Sequence, residues 1–269
     1  MSKKVKLAVL PEADLYLIKN GCKDRPVLWE SISSLAMAKS NGYEWVLSFE
    51  SGMLQLRSPG NKDLDRIKVD FLTGSMGYRQ RHGQGKGELL AKAVGIKKNF
   101  LPSVLDVTAG LGKDSFILAS LGCQVTMIER SPLIALLLQN GLVRAAEDSE
   151  LGSVVNRIDL LNRDSIQFLI SSPQTLLTYD CIYLDPMFPE NKKSRLVKKE
   201  MRVFRKLLGE DLDSSSLLDA AFESGIHRVV VKRHRHDKEI GSHKPRLNFI
   251  GKTTRFDVYF NKLTNHGAF

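Results

Sequence analysis

The segment Asp106-Val-Thr-Ala-Gly110-Leu-Gly112-Lys113-Asp114-Ser115 gathers the residue types most suited to holding a charged ligand. An apolar stretch closes on Asp106. Gly110 and Gly112 then permit a tight turn and close backbone approach to a ligand before a helical pattern begins. A second apolar stretch ends at Glu129, 23 residues past Asp106, where a carboxylate is placed to accept hydrogen bonds from both hydroxyls of a ribose. Taken singly, two glycines make a turn and a glutamate caps one; the ordered series of strand, glycine turn, helix, strand and acidic tip favours a nucleoside cofactor. A dinucleotide is disfavoured, because Ser115 stands where G-x-G-x-x-G requires its third glycine. Asp106 and Asp114 bracket the loop, repelling a pyrophosphate but suiting the ammonium and sulfonium of S-adenosylmethionine. Lys113 carries the opposite charge and is read as pointing outward.

The second constellation is Tyr183-Leu-Asp185-Pro186-Met-Phe188-Pro189 at the end of another apolar stretch. Asp185 and a nearby main-chain carbonyl can accept both N–H bonds of an exocyclic amine while an aromatic ring stacks on the base. The lone pair of such an amine is conjugated into its ring, so alignment toward a methyl group matters more than basicity, and catalysis would come from proximity and orientation. Asp-Pro alone commonly starts a turn; its place at a strand tip beyond a cofactor loop favours the functional reading, with Asp185, Pro186 and Phe188 presenting the amine.

These residues need strands to carry them. Apolar strands are expected at 103–107, 124–128, 157–161, 180–184 and 227–232, alternating with helical patterns at 112–121, 132–146, 165–170, 198–208 and 215–223. Ser131-Pro132 is a helix start. Such alternation implies a mostly parallel α/β sheet with helices on both faces and ligands beyond the carboxyl ends of its strands. Residues 246–250 and 255–260 flank Gly251-Lys-Thr-Thr254 as an antiparallel hairpin. The first hundred residues break the rhythm, with strands at 5–10, 44–49 and 53–57 and one helix around 31–39. The expected organisation is a small N-terminal α+β subdomain over 1–95 and a Rossmann-like catalytic domain over 96–269.

Among 269 residues, 40 Lys and Arg oppose 30 Asp and Glu, a formal charge of +10 that points to a polyanionic partner. Hydrophobic residues at 42% and charged residues at 26% exclude a disordered or fibrous chain. Three scattered cysteines in no C-x-x-C pattern argue against a disulfide framework or zinc ribbon and for a reducing, cytoplasmic setting. The longest apolar runs are too short for a membrane span or signal peptide, and His234 and His236 lack the Cys or carboxylate partners of a metal site. Basic runs lie before the first catalytic strand (Arg79, Arg81, Lys86), after the amine motif (Lys192, Lys193, Arg195, Lys198, Lys199, Arg202) and after the fifth strand (Lys232, Arg233). One run alone reads as a solvated helix face; three beside one cleft favour RNA phosphates around an unpaired base.

Asp106-Val-Thr-Ala-Gly-Leu-Gly-Lys-Asp114, Glu129-Arg130, Tyr183-Leu-Asp-Pro-Met-Phe-Pro189, Leu196-Val-Lys-Lys-Glu-Met-Arg-Val-Phe204 and Arg228-Val-Val-Val-Lys-Arg233 together resemble the bacterial ribosomal RNA small subunit methyltransferase J family. Val69-Asp-Phe71, Gly85-Lys-Gly-Glu88 and Ala91-Lys-Ala-Val-Gly-Ile96 extend the likeness, which covers roughly 65–260. The resemblance implies a class I methyltransferase fold, S-adenosylmethionine as donor, and methylation of guanosine N2 in 16S rRNA or the small ribosomal subunit. It also implies cofactor contacts at Lys113, Asp114, Glu129, Arg130, Asp164, Ser165 and Asp185, joining Asp106, Gly110 and Gly112. Two positions depart from the family pattern: Lys113 where Arg is frequent, keeping charge but losing the fork geometry, and Asp164 where a small or hydroxyl residue is frequent. The rival readings are a methyltransferase for another nucleic-acid amine, such as adenine N6, and a non-catalytic RNA-binding assembly factor.

Overall fold

In the computed structural model the described residues are 7–19, 29–60, 66–73, 86–171, 173–186, 213–237 and 243–261. The expected helix at 198–208 lies outside them. Two sheets organise the chain. The first has five strands in the order β2-β1-β3-β4-β5, with β1 at Leu7–Val9, β2 at Trp29–Ser31, β3 at Trp45–Glu50, β4 at Met53–Arg57 and β5 at Arg66–Lys68. β1 runs parallel to both β2 and β3, and the rest is antiparallel. β3 and β4 join through Ser51 and Gly52, both at positive φ (50° and 78°), the hairpin geometry whose twist matches the strands it connects.

This N-terminal part is richer than its sequence suggested. The expected single helix over 31–39 is α2, Leu35–Ser40, because Ser34 rather than Ser31 is the N-cap and accepts a bond from the Met37 amide; Ser31 belongs to β2. An unforeseen helix α1, Pro11–Lys19, has Pro11 at its first position and Glu12 and Asp14 in its first turn, all favourable to a helix N-terminus. A third, α3, spans Lys86–Val94.

The second sheet has seven strands in the order β11-β12-β10-β9-β6-β7-β8. β6 (Val104–Asp106), β7 (Val125–Ile128), β8 (Ile158–Leu161), β9 (Cys181–Leu184) and β10 (Arg228–His234) are parallel, and β11 (Leu247–Ile250) and β12 (Thr254–Phe260) form the expected antiparallel hairpin at one edge. The chain moves outward from β6 through β7 to β8, then returns to lay β9 on the other side of β6. That reversal opens a crevice at the carboxyl ends of β6 and β9, the ligand position of a doubly wound sheet. This is the class I Rossmann-like arrangement.

Helices α4 (Lys113–Ser120), α5 (Pro132–Ala146) and α3 cover one face of this sheet, whose inward residues include Val104, Met127, Tyr183 and Val230. Helices α7 (Ser165–Ser171) and α9 (Ser214–Glu223) cover the other, over Leu105, Ile128, Ile182, Leu184, Val229 and Val231; short helices α6 (Gly152–Val155) and α8 (Pro173–Leu176) complete the connections. Strict alternation of side chains sorts these sets, and each fully buried Val, Leu or Ile contributes about 1.5–3 kcal/mol of transfer free energy. Among the described residues no helix is long and apolar enough to cross a membrane.

The first sheet is docked on α5. The buried Asn140 side chain accepts from the Leu54 amide at 3.0 Å and donates to the Gly52 carbonyl, and Arg144 donates to the Val69 carbonyl. Phe71 stacks on Phe116 of α4 with ring centroids 4.2 Å apart. Gly141 makes the approach possible: a Cβ there would lie 2.4 Å from Val69 Cγ1 and 3.2 Å from the Val69 carbonyl oxygen. Gly141→Ala would gain about 1 kcal/mol of helix propensity, but overpacking against a β-branched side chain and backbone outweighs it. A net loss of about 1–2 kcal/mol is expected in denaturant titration, and undiminished stability would show that the two sheets do not meet this closely.

Candidate active site

Asp106 ends β6 with its side chain 2% exposed. One carboxylate oxygen accepts from the Thr108 amide at 3.0 Å and the other from the Ser115 hydroxyl at 2.5 Å. Gly110 and Gly112 follow with φ of 54° and 69°. Gly112 is doubly constrained, because a Cβ would also meet Leu138 at 2.7 Å, whereas the space around Gly110 holds only the Thr108 carbonyl oxygen at 3.8 Å. Gly112 therefore serves packing, while Gly110 leaves room beside the backbone for a ligand.

Glu129, one residue beyond β7, points into the same loop. Its carboxylate accepts from the Gly110 amide at 2.9 Å and from the Ser131 amide at 2.7 Å, and Asn162 donates to its main-chain carbonyl. Burial pushes the Asp106 carboxyl up to about 7, with Asp114 and Asp185 adding to the rise and Ser115 and the Thr108 amide opposing it. Burial likewise pushes Glu129 up to about 7 against the stabilising amides of Ser131 and Gly110. Two carboxyls raised toward neutrality at adjacent strand tips form a site that a cation would relieve, and an open Gly110 beside Glu129 suits a ribose. These features fit S-adenosylmethionine, which carries both.

Asp114, in the first turn of α4, receives the Tyr183 hydroxyl at 2.6 Å and the Lys232 ammonium at 2.6 Å on the same oxygen. Lys232 also reaches Asp185 Oδ2 at 2.7 Å. The Asp185 amide donates to Thr108 Oγ1 at 2.6 Å, which pins the main chain after β9 to the glycine loop after β6. Pro186 behind it is buried. Burial alone would lower Lys232, but Asp185 and Asp114 outweigh it and hold its ammonium well above the usual lysine range.

The structure thus brings together Asp106, Gly110, Gly112, Asp114, Glu129 and Asp185. Lys113 opens α4 with its side chain exposed, and Arg130 is ion-paired with Asp213 at 2.7 Å. Asp164 is exposed and accepts from the Gln167 amide, a capping contact at the start of α7. Ser165 is buried and donates to the Val107 carbonyl at 2.6 Å, tying α7 to the loop after β6. Of the residues expected to meet RNA, Lys232 faces the carboxylates and Arg233 is 7% exposed near Asp237. Phe188, Lys192, Lys193, Arg195, Lys198, Lys199 and Arg202 lie outside the described residues, as do Arg79 and Arg81. No group of His, Cys, Asp or Glu suited to a metal occurs among the described residues.

Sequence reasoning missed four members of the site: Thr108, Ser115, the Tyr183 hydroxyl and Lys232 as a partner of carboxylates. Alternation offers a signal for two of them. Tyr183 and Asp185 share a face of their strand, as do Val230 and Lys232, and the pairing of Val230 with Tyr183 sets these two faces together.

The family described as "Putative SAM-dependent methyltransferase" matches residues 30–261. A crystal structure of a SAM-dependent methyltransferase from Neisseria gonorrhoeae superposes with a TM-score of 0.72 at 34% identity, covering 95% of this chain and 96% of that one. A Pseudomonas aeruginosa (strain LESB58) protein named ribosomal RNA small subunit methyltransferase J is 41% identical over 261 residues, 96% of this chain and 98% of its own length. An Aeromonas salmonicida (strain A449) protein of the same name is 48% identical over 217 residues, 80% of this chain and 86% of its own length. The chain belongs to the ribosomal RNA small subunit methyltransferase J family. It is a methyltransferase, and its cofactor is S-adenosylmethionine.

For a family J enzyme the raised carboxyls carry a pH consequence. In the unliganded protein Asp106 and Glu129 have folded-state values above their ordinary ones, so their protonated forms prevail below about 7. These two groups favour folding most below their ordinary values, and that contribution is lost as pH rises through about 7. A bound cation and ribose hydroxyls favour the carboxylates instead. Cofactor affinity should therefore fall as pH drops from 8 to 6, by roughly tenfold over that whole range for each carboxylate that must ionise, with proton release on binding. Calorimetry in two buffers of different ionisation enthalpy measures both; flat affinity without proton release would separate these carboxylates from the cofactor.

Proposed function

We propose that this enzyme transfers a methyl group from S-adenosylmethionine to the exocyclic N2 amine of a guanosine in 16S ribosomal RNA, as free RNA or within the small ribosomal subunit. The observation that carries the reading is Asp185 at the carboxyl end of β9, its amide held by Thr108 and its half-exposed carboxylate beside the donor loop. The relatives named ribosomal RNA small subunit methyltransferase J support the RNA substrate.

In this reading Asp106, Gly110, Gly112, Lys113, Asp114, Glu129, Arg130, Asp164 and Ser165 line the donor. Glu129 accepts from the ribose hydroxyls, while Asp106 and Asp114 complement positive charge. When bound, the cofactor supplies a sulfonium methyl whose carbon–sulfur bond breaks toward sulfur as the amine nitrogen attacks. Asp185 accepts an N–H of the target amine and orients its lone pair toward that methyl; Pro186 fixes the turn and Phe188 stacks on the base. The product nitrogen then gives its extra proton to the Asp185 carboxylate that already accepts its N–H. Lys192, Lys193, Arg195, Lys198, Lys199 and Arg202 contact flanking phosphates, and so the interaction weakens as salt rises.

Asp185→Ala should lower turnover by at least about 10²-fold while changing cofactor affinity by less than about fivefold, measured with labelled donor and small-subunit RNA lacking the modification. Nuclease digestion and mass spectrometry should then find N2-methylguanosine in the wild-type product. Full activity in the variant would remove Asp185 from the reaction, and N6-methyladenosine would reassign the target.

A further inference from the structure

The Lys232 side chain is answered entirely by carboxylates. Its ammonium lies 2.6 Å from Asp114 Oδ2 and 2.7 Å from Asp185 Oδ2, and it is only 26% exposed. The two aspartates come from opposite halves of the site, Asp114 from the first turn of α4 beside the donor loop and Asp185 from the tip that presents the amine. Tyr183 steadies Asp114 from below through its hydroxyl, and Thr108 holds the Asp185 main chain but not its carboxylate. Lys232 therefore supplies the bridge between the two carboxylate groups. An ammonium engaged by two carboxylates at hydrogen-bond distance is poorly placed to hold an RNA phosphate.

We propose that Lys232 is a positioning residue of the methyl transfer, its ammonium holding the Asp185 carboxylate against Asp114 so that the acceptor of the target amine stands at a fixed place beside the donor. The inference rests on Asp185 being that acceptor. Among the described residues, the charged and titratable groups facing Asp185 are Asp106 at the end of β6, Asp114 on α4, Tyr183 on β9 and Lys232 on β10. Lys232 is the one cation in this set. Burial raises the Asp185 carboxyl and Asp114 raises it further, with Lys232 acting against both. Without the ammonium, Asp185 either takes up a proton or turns away from Asp114, and in both cases the amine loses its oriented acceptor.

Lys232→Met and Lys232→Arg test this in the full-length enzyme, with thermal melting to verify folding and with cofactor affinity, RNA affinity across a salt series and turnover at saturating RNA measured in parallel. Lys232→Met should lower kcat by about 10²–10³-fold and move the acidic limb of its pH profile upward by about one unit or more, while RNA affinity stays within about twofold and its salt slope is unchanged. Lys232→Arg keeps the charge but shifts its position, and should recover part of the loss without changing RNA affinity. If Lys232→Met does not fold, the arginine variant decides alone: a fall in kcat of about tenfold at unchanged RNA affinity supports the bridge. The proposal is overturned by undiminished kcat with an unmoved acidic limb in a folded variant. It is equally overturned by weaker RNA binding with a salt slope reduced by about one at normal kcat, which is the mark of a phosphate contact. Wild-type enzyme forming no methylguanosine removes the acceptor role and this inference with it, whereas a wild type that methylates beside an equally active Lys232→Met removes Lys232 alone.

Discussion

Four carboxylates crowd the carboxyl edge of the large sheet, and the rest of the site is arranged around the cost of keeping them there. Asp106 and Glu129 are withdrawn from water and held by main-chain amides and the hydroxyls of Ser115 and Thr108; Asp114 and Asp185 are partly wet and share one ammonium. Like charges at this spacing repel strongly unless screened or answered. The parallel sheet has no choice about bringing them together, since β6, β7 and β9 all end at the same level beside the reversal in strand order. A sulfonium bearing an ammonium tail is the electrostatic complement of such a site.

The same constraint explains a contrast in the charge distribution. The chain carries +10 overall, yet the crevice is acidic. Exposed cations attract a polyanion over long range, an effect that is sequence-independent and sensitive to salt, whereas an acidic crevice repels phosphate. In the proposed reading the crevice serves the chemistry and leaves recruitment of RNA to cations elsewhere in the sequence. Lys232 marks the boundary, because it belongs by sequence to a basic run and by geometry to the carboxylates.

Much of this arrangement was legible in the sequence, and the limits were physical. Continuous apolar runs such as Val229–Val231 and Cys181–Leu184 announce buried parallel strands, and Ser131-Pro132 announces α5. The glycine turn and the acidic tip at Glu129 follow from local chemistry alone. Lys232 was misleading because its neighbours Arg233, His234 and Arg235 are basic, so composition assigns it to a phosphate surface; only the register between β9 and β10, a long-range property, sets it beside Asp185. α1 was obscured for another reason: Pro11 reads as a break after an apolar strand as readily as a first helical residue. Asp164 shows the converse, a carboxylate that the family resemblance places at the ligand and to which the fold adds a second task, the cap at the start of α7.

The first sheet bears on the site through packing. Phe71 stacks on Phe116 and lies within van der Waals reach of a Cβ at Gly112, so the segment after β5 forms the wall behind the glycine turn that follows β6. Well-packed interiors transmit displacement because they contain little free volume to absorb it. Gly112 has no side chain to yield, and the atoms around it are packed so closely that a Cβ there would lie 2.7 Å from Leu138 and 3.4 Å from Phe71. A shift of the N-terminal sheet on α5 would therefore reach the donor loop directly, and through Asp114 the Lys232 bridge and Asp185. Donor loop, amine motif and N-terminal sheet are in this sense one mechanical unit, and α4, with Phe116 in its hydrophobic face and Asp114 in its first turn, is the element that joins them.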